Sequence, residues 1–476
     1  MRRFCESETM SWKKKSLDRL FNPKAVAVIG ASDKREKLGS LALLALNTFE
    51  GQVYPVNPRL REIDGQACFS SVRDIEDRID LALVAVGTQH VLTAVKDCAQ
   101  VGVGGVVIFS AGFKELGGIG VEHQERVRTL ADDAHIAVIG PNCLGAGNIE
   151  INLNATFFPH PMPMKAGGTA LVSQSGGVTG LMLYRAADSG LGVSKFASVG
   201  NRVNIDFNDL IKYLGDDPGT STICLFVEGT EKAREMVDET ALTSHKKPVI
   251  FYKVGKTPAS REAALSHTGS LAGNSRIYSA AMRQAGAIET NSVAEMIDTA
   301  KVISTCSKKP AGKGVAVLTH TLGVALIVAQ TLEENGILLR PPSEDAAVLI
   351  QQTLDLPIKP PVRNPVDLLA KGWSEPEVFA KAFEIVIREE QYDAVAIVFS
   401  PNFQEGIGGG MPADDIVRIA GSVAKPVVAV LSAPYGRKPR ESELLERNGI
   451  PVFYSPQRAG QALANFLNHS WQTFEE

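Results

Sequence analysis

Aromatic residues are scarce in this chain. Trp, Tyr and Phe make up 6% of its 476 residues, whereas glycines number 43. That balance counts against an aromatic platform for stacking RNA bases and favours α/β layers with Gly-rich turns. Cysteines are also few: Cys5, Cys68, Cys98, Cys143, Cys224 and Cys306. None forms a C-x-x-C pair or a metal-type cluster, so a disulfide scaffold is excluded and a reducing cytoplasm is expected. Excess positive charge is missing as well. Lys and Arg total 49 against 53 Asp and Glu, a net charge of −4. No basic field therefore invites nucleic acid or anionic lipid. No apolar run approaches the roughly 18 residues of a membrane span. The first 20 residues carry basic side chains but no apolar core of a signal peptide, and Glu6 and Glu8 count against a transit peptide. Residues 1–16 are expected to be a flexible extension.

What the chain does have is repeated α/β patterning. Its 44% apolar and 21% charged residues are those of an ordinary globular protein. At roughly 150 residues per domain the length suggests about three domains. Short Val/Ile-rich runs at 25–29, 52–55, 81–86, 105–109 and 137–139 alternate with helical periods. This is the pattern of a parallel sheet with crossover helices. A Pro-rich joint at 158–164 follows, then runs at 168–172, 195–198, 222–228 and 248–253. A basic linker at 306–313 opens a third block with runs at 314–318, 394–399, 426–431 and 452–454. The expected divisions are 17–150, 160–305 and 312–470.

Several strand ends carry chemistry-bearing residues. In AVAVIGASD, 25–33, a buried strand runs into Gly30 and a small-residue turn before a helix. A helix N-terminus offers unpaired N–H groups and the positive dipole end, which suits a phosphate. Ser32 stands where the dinucleotide fingerprint G-x-G-x-x-G has its second glycine, which disfavours an NAD-linked oxidoreductase. Anion binding and a merely tight turn both remain open. Two prolines stiffen VYPVNP, 53–58, and leave Asn57 at the sheet edge. In GPNCLG, 140–145, a backbone loop shaping a pocket is a better reading of Cys143 than a nucleophile, because no His with an orienting partner lies near it in sequence.

The segment LVSQSGG, 171–177, ends a strand with Ser173, Ser175, Gly176 and Gly177 opening a helix. Hydroxyls, bare N–H groups and the helix dipole converge there as a phosphate cradle, with a plain Ser N-cap as the alternative. His267 sits among small residues in SHTGSLAGN, 266–274. Imidazole accepts a phosphoryl group near neutral pH, and a carboxylate on its other nitrogen would fix the tautomer. Glu228, at the end of a predicted strand, is the candidate for that carboxylate. Gly255-Lys-Thr257 imitates the tail of a P-loop, but Ile250 stands where its first glycine belongs, so no Walker A motif is present. No paired histidine spacing points to a catalytic metal.

Together these motifs resemble the nucleoside-diphosphate-forming acyl-CoA synthetases, relatives of succinyl-CoA synthetase. The ordered set IGAS, VYPVNP, SAGFKELGG, GPNCLG, SQSGG, GNRVNIDFNDLIKYL, EGT, KVGKT and SHTGSLAGN runs through the chain. The likeness spans about residues 17–465 and is to the α subunit, or to the equivalent half of a fused enzyme. It implies a CoA-binding Rossmann domain followed by two flavodoxin-like ligase domains. It implies an acid–CoA ligase that forms acyl-CoA from a carboxylic acid, CoA and ATP, releasing ADP and phosphate through an acyl phosphate and a phosphohistidine. Carried over by motif, His267 would be the phosphohistidine and Glu228 its orienting partner. Ser173, Ser175, Gly176 and Gly177 would hold the phosphoryl group. Gly30, Ala31, Ser32, Lys37 and Asn57 would contact coenzyme A, and Asn142 would border the acyl site. ATP or ADP with Mg2+ is expected on a separate ATP-grasp β subunit, in an oligomer that takes a small carboxylic acid. The third block departs from the family at THTLGVA, 319–325, where a Gly-rich, Asn-containing loop is usual; His320 is read there as a surface or interface residue. That departure keeps a second reading open, a non-catalytic sensor or scaffold that binds CoA or acyl-CoA.

Overall fold

The computed structural model describes residues 2–158, 164–259, 274–401, 410–433, 438–469 and 471, with side chains from Trp12 onward. The chain forms two compact units, Met1–Ile297 and Asp298–Glu476.

The first unit holds two sheets. In the first, strands β1 (Ala25–Ile29), β2 (Gln52–Val56), β5 (Leu81–Val84), β6 (Gly105–Ile108) and β7 (Ala137–Ile139) are all parallel, in the order β2-β1-β5-β6-β7. A small antiparallel hairpin, β3 (Glu62–Ile63) and β4 (Gln66–Ala67), branches off after β2. The central strands are unbroken apolar runs buried along their full length, as strands covered on both faces require. Helices α2 (Leu38–Ala45), α3 (Thr88–Gln100) and α4 (Ile119–Asp133) belong to this layer.

The second sheet has the order β14-β13-β12-β10-β11-β8-β9. Its parallel core is β10 (Ala166–Ser173), β11 (Val193–Ser198), β12 (Thr222–Val227), β13 (Val249–Lys253) and the short β14 (Ile288–Glu289). An antiparallel pair, β8 (Gly145–Asn148) and β9 (Leu153–Thr156), extends its edge beside β11. The sequence of β8, GAGN, carries no strand signal. Its glycine suits close packing instead: an added Cβ on Gly147 would collide with the Phe196 ring. Helices α5 (Gly176–Ser189), α6 (Phe207–Asp216), α7 (Ala233–Ser244) and α8 (Ser275–Gln284) follow in order.

The N-terminal segment differs from expectation. Residues Arg2–Phe21 form helix α1 instead of a flexible extension over 1–16. Its docking explains the difference. Leu17, Leu20 and Phe21 are buried, the Ser16 hydroxyl donates to the Gly104 carbonyl, and Lys13 Nζ donates to Asn204 O and Asp209 Oδ1 at 2.9 Å each.

The second unit carries one parallel sheet in the order β16-β15-β17-β18-β19. Its strands are β15 (Val315–Thr319), β16 (Val366–Asp367), β17 (Ala394–Phe399), β18 (Val427–Leu431) and β19 (Val452–Phe453).

Candidate active site

In each sheet the crossovers leave one strand in opposite directions: β1 lies between β2 and β5, β10 between β11 and β12, and β15 between β16 and β17. Open parallel sheets form a ligand crevice at the carboxyl ends of such strands.

At the first switch, β1 runs into Gly30. Its φ is +91°, and an added Cβ would meet Ala85 O at 2.6 Å, so no other residue fits without strain. The N–H groups of Gly30 and Ala31 donate to Val56 O at 2.9 and 3.2 Å. Asn57 Nδ2 donates to Ala31 O at 2.7 Å, while its Oδ1 accepts Arg59 N–H at 2.9 Å. Asn57 therefore ties the turn to its own loop, one end of its side chain bonded to each. Ser32 Oγ accepts Lys34 N–H at 3.1 Å. Lys37 occupies the N-cap of α2 in extended backbone and makes no side-chain cap. The first turn of α2 thus opens beside exposed Lys34, Arg35 and Lys37. Free N–H groups at a dipole end, with cations beside them, fit the phosphates of coenzyme A.

At the second switch, β10 ends in Ser173. Its Oγ accepts Ser175 N–H at 3.1 Å and donates to Ser175 O at 2.9 Å. Ser175 caps α5, its Oγ accepting Val178 N–H at 3.4 Å. Gly176 and Gly177 follow in the first turn, where backbone N–H groups have no intrahelical partner. An added Cβ on Gly177 meets nothing within 4 Å, so the helix end faces open space.

Between Ser173 and Ser175, Gln174 crosses the switch. Its Oε1 accepts the N–H groups of Glu228 and Gly229 at 3.1 and 3.0 Å. Glu228 is 8% exposed. Its carbonyl accepts Lys253 Nζ at 2.6 Å, as does Val254 O at 2.6 Å. Lys253 is fully buried, with its ammonium 5.3 Å from the centre of the Tyr278 ring. Thr230 Oγ1 donates to Asp206 Oδ2 at 2.7 Å, its N–H donates to the Tyr278 hydroxyl at 3.3 Å, and that hydroxyl donates to Thr230 O at 3.1 Å. Burial pushes the Tyr278 phenol above its usual pKa, which keeps the proton on this donor. The Glu228-Gly-Thr230 loop is therefore held from four sides.

The two sheets of this unit meet around a cavity of about 410 Å3. Asn142, Gln174, Ser175, Gly176 and Gly177 form a polar wall, facing apolar Leu38, Phe109, Phe157 and Phe158. Leu38 brings the first turn of α2 to the same space as α5. Asn142 adopts φ +57°, and its Nδ2 lies 3.5 Å from Asn201 Oδ1. Asn201 Nδ2 donates to Glu115 Oε2 at 2.5 Å and to Gln124 Oε1 at 3.0 Å. Glu115 in turn accepts the N–H groups of Gly112 and Phe113 at 2.6 and 3.1 Å. In this way the SAGFKELGG loop is tied to the GNRVN loop beside the cavity. Cys143 donates from Sγ to Ile108 O at 3.3 Å, and burial pushes its thiol up to about 12. It stays a thiol, as a structural cysteine does.

His267 lies in 260–273, outside the described residues. Ser173, Ser175, Gly176, Gly177 and Glu228 come together at the second switch; Gly30, Ala31, Ser32, Lys37 and Asn57 gather at the first, and Asn142 lies between. The third switch carries His320, whose Nε2 accepts Ser400 N–H at 3.0 Å, so it binds within its own sheet. Among the described residues, no group of three His, Cys, Asp or Glu could hold a metal ion, and no helix is long and apolar enough to cross a membrane. Sequence reasoning missed Gln174, Lys253, Asp206 and Tyr278. The signal for Gln174 was a long polar side chain between two serines at the end of an apolar strand. Lys253 showed itself only as a charge at the end of an apolar run.

This arrangement is that of a CoA-dependent ligase. Residues 24–148 match a CoA binding domain, and 166–303 match the succinyl-CoA ligase like flavodoxin domain. Acetate–CoA ligase [ADP-forming] II subunit alpha of Pyrococcus furiosus is 36% identical over 455 residues, 94% of this chain and 96% of the relative. Acetate–CoA ligase [ADP-forming] I of Archaeoglobus fulgidus is also 36% identical, over 94% of this chain but only 63% of its own length. The structure of acetyl-coenzyme A synthetase 1 from Ca. Korarchaeum cryptofilum in complex with phosphate and ADP superposes with a TM-score of 0.84 at 31% identity, over 94% of this chain and 96% of that one. The chain belongs to the family of ADP-forming CoA ligases, as an α subunit. Membership sets it among enzymes that use coenzyme A and ADP or ATP, and not among sensors or scaffolds. An α subunit works with a partner subunit.

Proposed function

We propose that this α subunit joins a small carboxylic acid to coenzyme A, with ATP converted to ADP and phosphate. The nucleotide, with Mg2+, binds an ATP-grasp partner subunit in the assembled oligomer. The His267 imidazole attacks the γ-phosphorus of ATP and ADP leaves, giving a phosphohistidine. The substrate carboxylate oxygen then attacks that phosphorus, and the P–N bond breaks to free the imidazole. The CoA sulfur, as thiolate, attacks the acyl carbon of the resulting acyl phosphate and expels phosphate. Glu228 orients His267, the first turn of α5 binds the moving phosphoryl group, and Asn142 borders the acyl group. The turn Gly30–Ser32 with Lys37 binds CoA, and Asn57 supports it.

The observation that carries this reading is the cavity where the open N-terminal turn of α5 meets the first turn of α2, with Gln174 on its wall holding the N–H groups of the Glu228 loop. Its apolar wall suits an acyl group whose carboxylate faces α5. The described cysteines are all free thiols, which suits a cytoplasmic enzyme. The test mixes the chain with its partner subunit and γ-labelled ATP. Acid-labile label should appear on the α chain, and carboxylic acid plus CoA should discharge it as acyl-CoA forms. Unchanged labelling of His267→Ala would refute the assignment.

A further inference from the structure

Gln174 is 3% exposed, and its amide nitrogen Nε2 is buried without a hydrogen-bond partner among the described residues. A carboxamide has one acceptor end and one donor end. Two backbone N–H groups, of Glu228 and Gly229, hold the acceptor end toward β12. Turning the amide over would set donor against donor twice, so the orientation is fixed and Nε2 is left to face away from that loop. Gln174 also lines the cavity at the open end of α5, beside Ser175, Gly176 and Gly177. Folded proteins rarely leave a buried donor unmatched, and each such group costs free energy. A ligand acceptor in that cavity removes the cost.

We propose that the Gln174 side-chain amide binds the phosphoryl group directly, donating from Nε2 to one of its oxygens, while Oε1 sets the Glu228 loop. This rests on the reading of α5 as the phosphoryl site. It makes Gln174 a sensor of occupancy: one rigid carboxamide joins the anion on one strand end to the carboxylate-bearing loop on the next. The backbone N–H groups of Gly176 and Gly177 supply the helix-end contribution, and Gln174 adds a side-chain donor from the same polar wall.

The test uses the complete enzyme with its partner subunit, run from acyl-CoA, ADP and inorganic phosphate toward ATP. Gln174→Glu keeps acceptor oxygens for Glu228 and Gly229 but replaces the donor with a charge that repels phosphate. Gln174→Met removes the donor without adding charge. Loss of a hydrogen bond to a charged group should raise the KM for phosphate roughly ten- to a hundredfold in Gln174→Met, and more in Gln174→Glu, with the KM for CoA within about twofold. A merely structural Gln174 would shift both constants in Gln174→Met and leave Gln174→Glu close to wild type, which would overturn the proposal. Gly177→Asp places a carboxylate in the open space at the helix end. Should it abolish phosphate use while both Gln174 variants keep the wild-type phosphate KM, the cradle stands and the role of Gln174 falls. Should it leave phosphate use intact, both fall. If the Gln174 variants do not fold, a structure of the wild-type complex with phosphate decides: an oxygen within about 3 Å of Nε2 supports the proposal, and one beyond hydrogen-bond reach overturns it.

Discussion

The imidazole Nε2 of His320 accepts the backbone N–H of Ser400 across the third switch, as Gln174 Oε1 accepts that of Glu228 across the second. Each residue follows the last position of the strand at its switch. Each is preceded by a hydroxyl, Ser173 or Thr319, whose oxygen accepts the N–H two residues on. The two ligase sheets therefore repeat one local device, with an imidazole in place of a carboxamide. The third switch thus carries, in place of a group with a fixed donor and acceptor, one whose acceptor can be protonated.

That exchange makes the third sheet sensitive to acid. Burial holds the His320 pKa below its ordinary value, against a smaller opposing pull from Asp367. Protonating Nε2 also removes the acceptor for Ser400. A base with a depressed folded pKa contributes stability that is complete above its unfolded value, about 6.5, and is lost as pH falls from there through the folded value. Thermal melts of the full chain should therefore decline below about pH 6.5. His469, held down to about 4 chiefly by burial, adds to the same decline. The informative quantity is the difference between wild type and His320→Gln, which should narrow as pH falls. A difference constant from pH 7.5 to 5 would remove His320 from the account.

The turn at the first switch should tolerate no side chain. In Gly30→Ala the methyl meets Ala85 O and Val86 Cγ1 at 2.6 and 2.8 Å, in a left-handed backbone that disfavours alanine. Gly39→Ala drives a methyl into the Gly30 carbonyl. Overpacking of this kind costs about 1–3 kcal/mol, or more where the neighbour is backbone. Both variants should melt earlier than wild type and bind CoA more weakly, read by calorimetry. Gly177→Ala is the contrast, because its methyl enters open space and its thermal stability should hold.

Asn201 links three loops, and its removal should reach the cavity wall at Asn142, the proposed acyl site. Asn201→Ala leaves Gln124 without this donor and frees Asn142, while Glu115 keeps its two backbone donors. The cost should be about 1 kcal/mol, because half-buried partners lose their hydrogen bonds. Turnover should fall through kcat/KM for the acid, with phosphoryl labelling of the α chain close to normal. Labelling that falls as steeply as turnover would place the effect elsewhere.

The layers were legible because parallel strands buried on both faces must read as apolar runs, as AVAVI and TICLFV do. The serine-capped start of α5 was legible for a similar reason, since Ser, Ser, Gly, Gly after such a run has a local physical meaning. What stayed hidden depends on neighbours distant in sequence. The strand GAGN needs the Phe196 ring from β11 to make sense of its glycine. The first-helix docking needs Asn204 and Asp209 to receive Lys13. Lys253 sits 25 residues from the Glu228 carbonyl it holds, so no local pattern could pair them.

Lys253 gives the sharpest separation between holding a loop and doing chemistry. Its fully buried ammonium donates to Glu228 O and Val254 O. Lys253→Met keeps comparable length and apolar stem but leaves both carbonyls without that donor, at a cost of roughly 1–3 kcal/mol each. The Glu228 loop should then wander while the Gly30 turn, the proposed CoA contact on the other sheet, is untouched. Phosphoryl labelling of the α chain should slow at least tenfold, whereas the Kd for CoA should change by less than about twofold; a 1 Å displacement near reacting groups can cost a hundredfold. Lys253→Arg should not restore the rate, because a planar guanidinium does not reproduce a compact ammonium in a closed site. Equal losses of labelling and of CoA binding would mean that the unit as a whole had loosened, and that Lys253 supports the fold without favouring the loop.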